Sequence, residues 1–93
     1  MPGIHSPLYI EFIAQLRRAR RAKGLTQATL GALLKKPQAF VSKVETCERR
    51  LDLIEAAQWC VVLGIQLKEV LPAELSGILS GPAGKPSSLR RRR

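Results

Sequence analysis

Residues 26–45 read TQATLGALLKKPQAFVSKVE. Two short helices joined by a tight turn account for this stretch. Leu30, Leu33, Leu34, Val41 and Val44 are spaced to meet where two such helices cross over a shared core. Lys35-Lys36-Pro37 make the turn, and Pro37 can open the second helix because its missing N–H would be unpaired in a first helical turn. Gln38, Ala39, Ser42 and Lys43, at spacings of one, three and four, then share the outward face of that second helix.

Upstream, Ser6-Pro7 is a helix start, with Ser as N-cap and Pro at the first helical position. The helix is predicted over 7–23. Leu8, Phe12, Ile13, Leu16 and Ala19 form its apolar side, and Gly24 ends it. Arg17, Arg18, Arg20, Arg21 and Lys23 crowd its second half, a density expected to be mostly a solvated face that also suits the dipole at a helix C-terminus. Thr26 caps the next helix, 26–34, and the third spans 37–46. After a basic loop at 47–51, Asp52 with Glu55 three residues on resembles a capping box and opens a fourth helix, 52–63. A short fifth helix, 67–71, stops at Pro72. The expected fold is all-α: a compact five-helix bundle over residues 6–75, followed at 76–93 by a flexible basic tail rich in Gly, Pro and Ser.

The fourth helix is apolar nearly all round, unlike an ordinary surface helix. Leu53, Ala56, Cys60 and Leu63 form one stripe with Trp59 at its edge, and Ile54, Ala57, Val61 and Ile65 form a second. The second stripe is expected to be covered by the first helix or by the segment after Ile65, with a subunit contact as the alternative.

The chain has 93 residues, 16 Lys+Arg against 7 Asp+Glu, and a net charge of +9, a balance that suits a polyanionic partner. Arg90 to Arg93 supply four of those charges, so the body is basic in its own right. A polar-faced helix in a basic surround fits the major groove of double-stranded DNA. No apolar run reaches membrane-spanning length and MPGIHSPLYI is no secretory signal, so a cytoplasmic, nucleoid-associated protein is expected. Cys47 and Cys60 match no metal-ligand spacing, and a disulfide is not expected in a reducing compartment. His5, the one histidine, lies near a frayed end with no catalytic set around it. An enzyme, a metal and a cofactor are all unexpected.

Together these residues resemble the XRE/Cro-like helix-turn-helix family, of the phage-repressor type. The resemblance runs from about Leu16 to Leu71. Its carriers are Arg20, Gly24-Leu25-Thr26-Gln27, Leu30, Gln38, Val41-Ser42-Lys43-Val44-Glu45, Glu48-Arg49-Arg50-Leu51-Asp52 and Leu63-Gly64-Ile65. It implies that Gln27, with Thr26 before it, holds a DNA phosphate at a helix N-terminus, with simple helix capping as the alternative. Gln38 matches a base-reading position, where a Gln can pair with adenine N6 and N7. Ala39 and Phe40 are placed to meet thymine methyls, although Phe40 is as well suited to packing at the core's edge. Ser42 and Lys36 fit phosphates, and Lys43 fits guanine or a phosphate, with plain solvation as the alternative for Ser42 and Lys43. Arg49 and Arg50 match a backbone-contacting loop, with plain solvation as the alternative. Arg20 and Glu45 match an ion pair between the first and third helices, with a simple phosphate contact as the alternative or additional role of Arg20. The chain departs from the family at Pro37, where Ser or Thr is usual, and at Lys35 and Cys47, where Gly is usual. Cys47 must then bear a left-handed backbone or the turn must differ.

The function implied is that of a sequence-specific transcriptional regulator, a repressor binding a partly palindromic operator as a homodimer. Its recognition helices would lie about 34 Å apart. The alternative is an antitoxin that represses its own operon and neutralises a small toxin protein. The fourth helix or the stretch from Leu75 to Leu79 would then dock the toxin.

Overall fold

The computed structural model describes residues 6–75. The expectations for His5, for residues 76–79 and for the tail to Arg93 lie outside them. Among the described residues five helices follow in the predicted order, α1 (Pro7–Ala22), α2 (Gln27–Leu34), α3 (Gln38–Glu45), α4 (Leu53–Leu63) and α5 (Leu67–Val70), and residues 73–75, just past Pro72, are helical as well. The described residues are all-helical, without strands, and no helix among them is long and apolar enough to cross a membrane.

Local chemistry explains where the helices begin. The Ser6 hydroxyl accepts from the Tyr9 N–H, with Pro7 opening α1, and the Thr26 hydroxyl accepts from the Thr29 N–H at the head of α2. Asp52 and Glu55 complete a reciprocal capping box on α4. Gly24 and Gly64 take the left-handed backbone after α1 and α4. Lys35 and Cys47 take it too, each at φ 63°, so the turns keep the geometry that glycine favours without having glycine. Pro37 does not open α3. It is the N-cap, extended at ψ 158°, and Gln38 is the first helical residue. The reason is the end of α2: Lys36 N–H bonds back to the Gly31 carbonyl, and the chain must straighten at Pro37 before it can turn again.

The core gathers Ile13, Leu16, Leu30, Val41, Val44, Leu51, Ala56, Trp59, Cys60, Leu63 and Val70. Gly31 allows α2 and the turn to close on each other, since a Cβ there would meet the Lys36 carbonyl at 2.7 Å. Cys47 and Cys60 are free thiols, and burial pushes both up from their ordinary pKa.

Several apolar residues are not where periodicity put them. Leu33 is 52% exposed. The buried side of α2 is set by Leu30, Gly31 and Leu34, and at about 100° per residue Leu33 falls roughly 110° from its centre. Trp59 is central rather than marginal, at 1% exposure. The second stripe of α4 is uncovered: Ile54 is 65% and Val61 79% exposed, with Ala57 exposed beside them and only Ile65 packed against the core. The face carrying Ala56, Trp59, Cys60 and Leu63 is the one turned into the core, where α2, α5 and Phe40 of α3 pack on α4, and Ile54 and Val61 point roughly opposite to it. Leu53 and Leu8, at the first turns of α4 and α1, stay exposed on the rim of an open apolar groove that Phe12, Ala56, Leu71 and Leu75 also line.

Candidate nucleic-acid interface

A buried ion pair anchors the surface. Arg20 on α1 donates from Nε to Glu45 Oε2 at 2.7 Å and from Nη2 to Glu45 Oε1 at 3.0 Å. Its Nη1 donates to the Leu25 carbonyl at 2.7 Å, so the guanidinium also ties down the loop between α1 and α2. The two side chains are 8% and 2% exposed. A pair this buried survives because both partners are charged and forked; neither could be left alone without a large desolvation cost.

That pair reaches the surface through two glutamines. Gln27, first residue of α2, donates from Nε2 to Glu45 Oε1 at 3.0 Å, and its Oε1 accepts from Gln38 Nε2 at 3.4 Å. Gln38 is the first residue of α3 and is exposed, as are Ala39 and Lys43; Ser42 is half-buried among them. The result is a polar row whose outer member is steered by a chain of contacts running back into the core. Thr26 sits beside it, exposed, with its hydroxyl engaged at the head of α2.

The other predicted residues form a second group. Phe40 is half-buried, its ring centroid 6.4 Å from that of Trp59, so it packs at the edge of the core. The Lys36 ammonium lies 5.5 Å and the Arg49 guanidinium 4.9 Å from the centre of the Phe40 ring, a cation–π arrangement. Arg49 also grips Glu55 with two bonds, Nη1–Oε1 at 2.8 Å and Nη2–Oε2 at 2.9 Å. The Arg49 hydrogen bond holds the Glu55 carboxyl below its ordinary pKa, assisted by the Asp52 N–H, and the same bond raises Arg49. The Arg50 guanidinium lies 5.0 Å from the centre of the Tyr9 ring, and the Tyr9 hydroxyl accepts from the Leu51 N–H at 3.1 Å. Burial raises Tyr9 despite that bond. The basic loop is thus fastened at both arginines to aromatic rings.

Spacing along the chain gave no sign of the Gln27 contacts, which join residues 18 and 11 positions apart. Neither did it reveal Arg17, whose Nε lies 4.0 Å from Glu45 Oε1. Only the packing of α1 and α2 against α3 brings these groups together.

The helix-turn-helix family profile matches residues 16–70, more than half of the 93. The chain belongs to the helix-turn-helix family. Its type is that of the XRE regulators, which typically act as DNA-binding transcription regulators rather than enzymes. No curated protein matches the sequence. Within this helix-turn-helix domain, α2 and α3 are the pair that names the family, and Gln38 heads the second of them.

Proposed function

We propose that this helix-turn-helix protein is a sequence-specific repressor that reads double-stranded DNA with α3 and binds a partly palindromic operator as a homodimer. The observation that carries the reading is Gln38: exposed at the first turn of α3, with its amide steered by Gln27 and, through it, by the buried Arg20–Glu45 pair. An anchored amide can offer its donor and acceptor to one base edge without first losing rotamer freedom, which favours discrimination over mere attraction. Ala39 and Lys43 complete the row that meets base edges. Thr26, Gln27, Ser42, Lys36, Arg49 and Arg50 hold the phosphates on either side. Phe40 serves mainly as the platform on which Lys36 and Arg49 rest. Repression follows from occupying promoter DNA, in the compartment that holds it.

The exposed strip of Leu33, Ile54, Ala57 and Val61 supplies apolar surface for the second copy. The same strip supports the antitoxin reading, in which a small toxin protein covers it; a stoichiometric partner retained through purification would favour that reading.

Selecting bound fragments from random DNA tests the proposal. The wild-type chain should recover a motif with two inverted half-sites, and Gln38→Ala should lose preference at one position in each, equivalent to roughly 1–3 kcal/mol. An unchanged motif for Gln38→Ala would remove the base-reading role.

A further inference from the structure

We infer that the α1 face bearing Arg17, Arg18 and Arg21 is a second phosphate-binding edge, which seats α1 on the DNA backbone beside the groove that α3 enters. The inference rests on the DNA-binding reading and adds a contact surface to it.

Position is the first argument. Glu45 Oε1, which takes the Gln27 amide at 3.0 Å, also lies 4.0 Å from Arg17 Nε. Arg17 is therefore joined through one carboxylate oxygen to the residue that steers Gln38, and the basic side of α1 is continuous with the recognition row. Ala14, Arg17, Arg18 and Arg21 recur at helical spacing on one side of α1. They line a groove of about 350 Å³ together with Ile10, Ile13, Glu45 and Cys47. The end of α3 thus forms one wall of this groove and the arginines the other.

Charge is the second argument. Among the described residues Glu45 is the single carboxylate lining the groove, and Arg20 already holds it with two bonds. Among the described residues Arg18 and Arg21 make no ion pair, and Arg17 makes only the long one to Glu45. Like charges three and four residues apart repel one another along a helix. The α1 dipole offsets this for Arg21 in the last turn but does less for Arg17 and Arg18. A polyanion lying along the groove relieves all three, and guanidinium forks match phosphate oxygens in geometry as well as sign.

Such contacts add affinity without sequence information, and their signature is salt dependence. The experiment uses the full chain. Arg17→Gln, Arg18→Gln, Arg21→Gln and the triple variant are titrated against the selected duplex and a scrambled duplex from about 50 to 200 mM salt. Each arginine that contacts a phosphate should reduce the slope of log affinity against log salt by about 0.9, and the triple variant by about 2.7. Both duplexes should weaken by the same factor and the selected motif should not change. Lys68→Gln, which removes one positive charge from α5, should leave the slope as it is. The inference is overturned if the triple variant keeps the wild-type slope, or if Lys68→Gln moves the slope as much as Arg21→Gln does. Failure of the functional reading looks different: the unsubstituted chain then selects no duplex at all, and this surface falls with it.

Discussion

On one side of α3, four side chains that could all be solvated are held in sequence: Arg20 grips Glu45, Glu45 takes Gln27, and Gln27 takes Gln38. On the outer face of α4, side chains that ought to be buried stand in water, with Ile54 at 65% and Val61 at 79% exposure. The polar face is ordered and the apolar face is open. The contrast separates two ways of preparing a surface. A polar surface meant to discriminate needs its donors aimed in advance, and the aiming force here begins at an ion pair inside the core. An apolar surface needs no aiming, because water drives its burial whenever a complementary face arrives. The row of Gln27 and Gln38 is thus coupled to the stability of the domain, whereas the α4 strip is not.

The sharpest way to break the contrast is to remove the anchor. Glu45→Ala leaves the Arg20 guanidinium buried with only the Leu25 carbonyl for company. Truncating one partner of a buried pair costs about 3–5 kcal/mol, which is a large share of the stability of a small domain. Urea unfolding followed by Trp59, the one tryptophan in the chain, should report that loss directly. A loss under 1 kcal/mol would mean that the pair does not anchor the surface.

The two faces were not equally legible in the sequence. Caps and turns were, because their chemistry is local: Ser6-Pro7, Thr26, Asp52 with Glu55, and Gly24 each act within about four residues. The exposed α3 face was readable from spacing as well, since residues one, three and four apart share a side whatever the helix packs on. What spacing could not show is how much of a helix its neighbours cover. Leu33, Ile54 and Val61 look like core from their type alone, yet the helices packed on α4 cover only one of its faces. The polar chain from Arg20 to Gln38 was hidden for a related reason. Its links span 25, 18 and 11 residues, and they exist only once α1 and α2 are both packed against α3. The Arg20–Glu45 partners were named from the family resemblance, not from any local pattern.

A second pair sharpens the comparison by holding geometry constant while burial changes. Arg49 and Glu55 meet in the same two-pronged way as Arg20 and Glu45, but their side chains are 42% and 17% exposed. Solvent screening reduces such a pair to about 0–1 kcal/mol. Because Glu55 is lowered from 4.5 in the folded chain, its contribution is present above that value. It is lost as pH falls from there through the lowered folded value. Glu55→Gln should flatten the acid limb of the stability curve across that window. It should also keep the α4 capping box, since Gln can still accept from the Asp52 N–H. An acid limb identical to that of the wild type would show that the pair is not coupled to folding.

The smallest effect on folding is expected at the α4 strip, and there a near-zero result is the informative one. Ile54→Gln and Val61→Gln each replace an exposed apolar side chain without changing the charge, so salt-dependent affinity is left alone. Away from packed contacts such substitutions shift stability by no more than about 0.5 kcal/mol. If the strip joins two copies on DNA, the double variant should fold normally and bind a single half-site as the wild type does. On DNA carrying two inverted half-sites it should lose the cooperative part of binding. A cooperative isotherm that survives both substitutions would move the subunit contact elsewhere, whereas a marked loss of stability would show that the strip belongs to the core after all. Only the loss of stability would erase the difference between the two faces, because the strip would then be neither open nor independent of the fold.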